Sequence, residues 1–178
     1  MEQHRQRDRR GSDSGEATST ACRTAEVIPS LGTVLVDRYE LISEIGRGGC
    51  AIVFEAHDLR LDRLVAIKIP LGVMGDASKM GRFSREARII ASIHHPNVTA
   101  VLDSGTTEEG LPFLVMERLF GESLRASINR CGFHSVAETI SIGLQLLSAL
   151  DAVHAAGIVH RDVKPDNIVL VARGGCDP

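Results

Sequence analysis

His160-Arg161-Asp162-Val163-Lys164-Pro165-Asp166-Asn167 sets a carboxylate, an ammonium and a carboxamide within eight residues. It lies between an apolar helical pattern upstream and a short apolar run, Ile168 to Val171, downstream. Asp162 is an acceptor for a hydroxyl proton, Lys164 neutralises phosphate charge, and Asn167 offers an oxygen to a metal ion. Phosphoryl transfer needs those three jobs together, because it relies on positioning and charge stabilisation.

Outward from that stretch, Ser135 to Ala156 predicts the longest helix, with a packing face of Val136, Ile140, Leu144, Leu147, Leu150 and His154. Ser135 and Glu138 have the spacing of a capping box, and Gly157 suits a left-handed helix stop. Gly121 marks a change from strand to helix, with a short helical segment from Ser123 to Asn129. Ile168 to Val171 predicts the strand that leaves the motif.

The first half reads as strands. Tyr39 to Ile45 and Ala51 to Ala56 flank the turn Gly46-Arg47-Gly48-Gly49, with Ile52, Phe54 and Ala56 on one face. Leu64 to Ile69 makes a third antiparallel strand, closed by Pro70. Asp76 to Ile93 changes to a helical period, with Met80, Phe83, Ala87 and Ile90 on one face, and His95-Pro96-Asn97 ends it. Val98 to Leu102 and Leu111 to Met116 complete five strands. The expectation is an α+β fold: a five-stranded antiparallel lobe with one helix over residues 31–116, a connection at 117–119, and a mainly helical, incomplete second lobe over 120–178. Residues 1–30 are polar and aperiodic, and read as a disordered arm.

Hydrophobic residues are 43% and charged residues 24% of the 178, so a packed core is expected. A net charge of −3 and 3% aromatics argue against nucleic acid as a partner. Cys22, Cys50, Cys131 and Cys176 form no Cys-x-x-Cys pair, which fits a reducing compartment. Met1 to Arg10 lacks the apolar segment of a signal peptide. The uncharged run Thr139 to Leu150 is shorter than the ~20 residues a membrane span takes. These features predict a cytoplasmic chain with no membrane segment.

Two further groups carry chemistry. Gly46-x-Gly48 allows backbone amides to approach phosphate oxygens, and its strand–turn–strand setting argues against a dinucleotide fold. Lys68 lies on a strand in Val65-Ala66-Ile67-Lys68, sharing a face with Ala66, and Glu86 lies on the following helix. Gly46-x-Gly48, Val65-Ala-Ile-Lys68, Glu86 and His160-Arg-Asp-x-Lys-Pro-x-Asn167 follow the order of the protein-kinase signature set. The chain resembles a serine/threonine protein kinase of the bacterial type from about Tyr39 to Leu170, also through His95-Pro-Asn-Val98 and Leu114-Val-Met-Glu117.

That resemblance implies ATP and Mg²⁺ as cofactors and a protein Ser/Thr hydroxyl as acceptor. Ile45, Gly46, Arg47, Gly48 and Gly49 would form the loop over ATP. Lys68 would contact the α- and β-phosphates, held by Glu86. Val53, Ala66 and Val169 would sandwich adenine, and backbone groups of Met116, Glu117 and Leu119 would hydrogen-bond it. Asp162 would accept the substrate proton, Lys164 would stabilise the γ-phosphoryl group and Asn167 would bind a Mg²⁺.

There are departures. Ala51 stands at the family's third loop glycine, where a methyl group should stiffen the turn. Arg173 to Pro178 contains no Asp-Phe-Gly. The chain is therefore expected to be an incomplete catalytic domain, marginally stable and weak in transfer. The alternatives are a nucleotide- or partner-binding fragment without transfer, or a non-functional remnant.

Overall fold

The computed structural model describes residues 28–73 and 76–171. Six strands form one antiparallel sheet in the order β1-β2-β3-β4-β6-β5. They are β1 (Val34–Leu35), β2 (Tyr39–Arg47), β3 (Ala51–Asp58), β4 (Arg63–Pro70), β5 (Val101–Thr106) and β6 (Pro112–Glu117). Helix α1 (Ala77–Ala91) connects β4 to β5 and packs on β5 and β6. Beyond the sheet come β7 (Gly121–Ser123), α2 (Leu124–Cys131), α3 (Val136–Ala155), a 3-10 turn (Pro165–Asn167) and β8 (Val169–Val171). β7 and β8 pair antiparallel as a separate two-stranded ribbon.

The sheet curls around its own core. Alternation along β3 buries Ile52, Phe54, Ala56 and Asp58 on one side, and they meet Tyr39, Leu41, Val65, Ile67, Phe113 and Val115. Each large side chain so buried contributes about 1.5–3 kcal/mol. The curl brings β2 against β5. Tyr39 Oη donates to Asp103 Oδ2 at 2.8 Å, and the Tyr39 and Phe113 rings pack edge to face 6.2 Å apart. Arg38 closes the seam, donating from Nη1 to Asp103 at 3.0 Å and from Nε and Nη2 to Asp58 at 2.9 and 2.7 Å.

Helix starts follow local chemistry. Asp76 caps α1 by accepting from Lys79 N–H at 3.0 Å, and Ser123 caps α2 by accepting from Ala126 N–H at 3.0 Å. The capping box at α3 forms as the sequence predicts: Glu138 N–H donates to Ser135 Oγ at 3.2 Å, and Ser135 N–H donates to Glu138 Oε2 at 2.9 Å. Gly157 takes φ +78° after α3.

Three expectations need correction. The sheet has six strands rather than five, because the short β1 pairs with β2 through Leu35 and Tyr39. β5 begins at Val101 rather than Val98, since Val98 N–H is taken by His95 C=O in a turn at 3.0 Å. Order reaches further back than Leu31, as Ile28 packs on the core; residues 1–27 of the predicted arm lie outside the described residues. The apolar face of α3 lacks packing partners, as expected of an incomplete second lobe: Val136, Ile140, Leu144 and Leu147 are 77%, 56%, 64% and 64% exposed. Instead α3 meets the α1–β5 loop through its polar side. His95 Nε2 and Ser148 Oγ are 3.0 Å apart, and Asn97 Nδ2 donates to Gln145 Oε1 at 3.0 Å. Among the described residues α3 is also the one helix long and apolar enough to cross a membrane by length and composition. A core helix meets the same criterion.

Candidate active site

The loop after α3 is shaped by two turns. Arg161 is held at φ +62°, a left-handed conformation uncommon outside glycine. Pro165 then opens the 3-10 turn at a position where its missing N–H is no loss. That turn folds Asn167 back onto Asp162, with Nδ2 donating to the Asp162 C=O at 2.8 Å and to Oδ2 at 2.9 Å. Lys164 Nζ lies 2.9 Å from the same Oδ2. The motif thus joins its three chemical groups directly. The hydrogen bond from Lys164, and then that from Asn167, hold the Asp162 carboxyl below its ordinary range, while Asp162 pushes Lys164 up. All three side chains are exposed.

Strand register assembles the opposite side. Val53 pairs with Lys68, Glu55 with Ala66, and Ala66 with Met116. Cross-strand partners point to the same face of a sheet, so Val53, Glu55, Ala66, Lys68 and Met116 share the face turned away from the curled core. Gly46 sits opposite Val53, Gly48 N–H donates to Ala51 C=O at 2.9 Å, and Arg47 is tied back to Glu44 through Nε at 2.8 Å. A side chain at Gly49 would meet nothing within 4 Å, so this turn is open above. Val169, on β8, pairs with Ser123 and is 40% exposed.

Some expected partners are not brought together. Lys68 and Glu86 are both exposed and form no ion pair within 4.0 Å. Ala87 is the residue of α1 that faces the sheet, and α1 sits over β5 and β6, so Glu86 would have to reach past β6 to β4. The 116–119 segment is also partly committed. Glu117 N–H donates to Ala100 C=O at 3.0 Å, and its carboxylate accepts from Ala100 N–H at 2.6 Å. Leu119 C=O accepts from Arg118 Nη1. Leu119 N–H has no partner among the described residues, and neither has Arg118 N–H, so both are donors open to a ligand.

Sequence reasoning missed Arg118, which also bonds Glu55 Oε2 at 2.7 Å, and Arg125, whose Nε is 3.6 Å from Asp166 Oδ2 at the 3-10 turn. Both pairs join residues more than 40 positions apart, and no local pattern announces them. A cavity of about 320 Å³ lies behind the 116–119 segment, lined by His94, His95, Val98, Ala100 and Glu117, away from Lys68 and Asp162.

A Mg²⁺ wants about six oxygen ligands. Among the described residues no three His, Cys, Asp or Glu side chains converge on such a site. Asn167 commits its nitrogen to Asp162, which leaves its Oδ1 as a metal ligand. The residues present therefore fit an ion carried mainly by phosphate oxygens and water, with Asn167 as one ligand.

Comparison with known proteins agrees with this geometry. The model of the protein kinase domain matches residues 39–175. The probable serine/threonine-protein kinase PknB of Lactococcus lactis is 40% identical over 146 residues, covering 81% of this chain and 23% of that protein. The probable serine/threonine-protein kinase pknA2 of Bifidobacterium longum is 43% identical over 141 residues, covering 77% and 18%. The PknI kinase domain of Mycobacterium tuberculosis superposes with a TM-score of 0.68 at 26% identity, over 81% of this chain and 59% of that one. The chain thus spans about a fifth of the length of the curated relatives it matches. Its curled antiparallel sheet, its bonded Asp162–Lys164–Asn167 loop and these matches establish that the chain belongs to the protein kinase domain family, among the bacterial serine/threonine kinases.

Proposed function

We propose that this chain binds Mg-ATP in the cleft between the glycine turn and the Asp162 loop, as the nucleotide-holding part of a kinase that phosphorylates protein Ser/Thr hydroxyls. The observation that carries the proposal is the directly bonded Asp162–Lys164–Asn167 cluster. Gly46, Gly48 and Gly49 present backbone without side chains toward phosphate, and Lys68, on the cleft face of β4, has no ion pair among the described residues. Val53, Ala66 and Val169 give the adenine ring an apolar slot, and Leu119 N–H gives it a donor. Bound Mg²⁺ screens phosphate charge and orients the transferred group. Asp162, charged at neutral pH, accepts the proton of the substrate hydroxyl through its unbonded Oδ1, while Lys164 faces the developing charge. The protein acts in the cytoplasm, where its nucleotide is.

A second reading, nucleotide binding without transfer, is favoured by one observation. Lys68 and Glu86 stand apart, and transfer requires that pair to be in place.

Thermal unfolding of the 178-residue chain with ATP, with and without Mg²⁺, tests the nucleotide reading. A ligand at 100 times its Kd stabilises by ~2.7 kcal/mol, so a clear rise in Tm is expected, larger with Mg²⁺. An unchanged Tm at millimolar Mg-ATP overturns it.

A further inference from the structure

Arg118 makes three contacts at once, and together they close a ring. Its Nε donates to Glu55 Oε2 at 2.7 Å, its Nη1 donates to Leu119 C=O, and its guanidinium lies 4.9 Å from the centre of the Phe120 ring. Arg118 and Glu55 are only 22% and 19% exposed, so the pair is shielded from the solvent that weakens surface ion pairs. The bond from the Arg118 side chain to Leu119 C=O encloses the peptide unit between residues 118 and 119. That peptide carries the Leu119 N–H, which has no partner among the described residues, as the neighbouring Arg118 and Phe120 N–H groups also have none. Glu55 anchors the far end of the guanidinium on β3, two residues from Val53 on the same face.

We propose that Arg118 is a positioning residue for the nucleotide base. Through Glu55 and Leu119 C=O it locks the 118–119 peptide so that Leu119 N–H stays turned to the cleft, and it withdraws Leu119 C=O from any ligand. The ion pair also couples this segment to β3, the strand that follows the glycine turn, so base and phosphate contacts are set by one rigid unit. This rests on the nucleotide reading above, and deepens it by naming a residue that never touches the phosphates yet sets affinity.

Preorganisation of this kind is worth the ordering cost of about one side chain and one peptide, so its loss is expected to weaken binding roughly three- to tenfold. The test compares the full chain with Arg118→Ala, Arg118→Lys, Glu55→Gln and the Arg118→Ala/Glu55→Gln double variant. Two quantities are read: the Kd for ATP, and amide exchange at Leu119 without nucleotide. Arg118→Ala should raise the Kd three- to tenfold and speed Leu119 exchange, with Tm nearly unchanged. Arg118→Lys should fall between, because an ammonium reaches Glu55 or Leu119 C=O but lacks the fork for both. The double variant should bind no worse than Arg118→Ala, since both changes break one coupled unit. An Arg118→Ala chain whose Leu119 exchange and Kd match the parent overturns the inference and leaves the nucleotide reading standing. A parent chain that binds no ATP overturns that reading instead, and the nucleotide-free exchange comparison still decides the lock.

Discussion

Asp58 shows how one buried carboxylate organises the sheet. It is fully buried and accepts from Arg38 Nε and Nη2 and from the Arg60 and Leu61 N–H groups, at 2.9, 2.7, 3.1 and 3.4 Å. The Arg38 hydrogen bonds are the main cause holding its carboxyl down at about 2, against burial, which opposes them. A carboxyl whose pKa is lowered by folding adds stability that is present above the unfolded pKa, ~4, and is lost as pH falls through the folded value. The chain is therefore expected to lose stability between pH 4 and pH 2 through this group. Asp58→Asn should flatten that part of the acid unfolding curve and cost about 3 kcal/mol at neutral pH, because it removes the buried carboxylate that takes two of the Arg38 hydrogen bonds and leaves Arg38 with Asp103 alone. Denaturant unfolding followed across that pH range checks both parts. At Asp162 the shift has the same direction: the hydrogen bonds from Lys164 and Asn167 favour the ionised form of an exposed carboxylate.

Among the elements, the ribbon of β7 and β8 depends on a single missing side chain. A Cβ at Gly121 would stand 2.9 Å from the Leu170 carbonyl carbon and 3.2 Å from Val171 Cα, both backbone atoms that cannot turn aside. Gly121→Ala is expected to break the pairing of Gly121 with Val171 and release Val169 from the floor of the cleft. Faster amide exchange confined to residues 121–123 and 169–171, with ATP binding weakened, is the expected outcome; unchanged exchange there would contradict it. This requirement was not legible in the sequence, where Gly121 reads as a simple switch from strand to helix. What was legible follows from local chemistry. Alternation along Ala51 to Ala56 gave the buried face of β3, and Ser135 with Glu138 gave the start of α3. Family order implies that Lys68 and Glu86 meet, and in this structure the seat of α1 over β5 and β6 leaves the two side chains apart. Arg118 with Glu55, and Arg38 with Asp58 and Asp103, escaped because only the curl of the sheet brings them together.

Taken whole, the molecule is a well-packed sheet joined to a sparsely packed helical part. Every large residue buried below 2% lies in or beside the sheet, while α3 buries Ala149 alone. Leu144→Ser and Leu147→Ser, at positions each 64% exposed, should therefore change the unfolding free energy of this chain by less than about 0.5 kcal/mol apiece while reducing its tendency to associate. Thermal unfolding and light scattering on the two variants check this, and a loss of several kcal/mol would mean that the α3 face is packed. The sheet and the helical part remain joined by the His95–Ser148 and Asn97–Gln145 contacts and by the 117–120 segment. If the cleft binds nucleotide as proposed, Mg-ATP lies between Lys68 and Asn167. Calorimetric titration of Mg-ATP into the chain and into Lys68→Met and Asn167→Ala tests it most directly. Binding by the parent is predicted, with affinity reduced at least about tenfold in Lys68→Met and a loss of the Mg²⁺ dependence in Asn167→Ala. Equal affinity in all three chains, or no binding by the parent, would contradict the account.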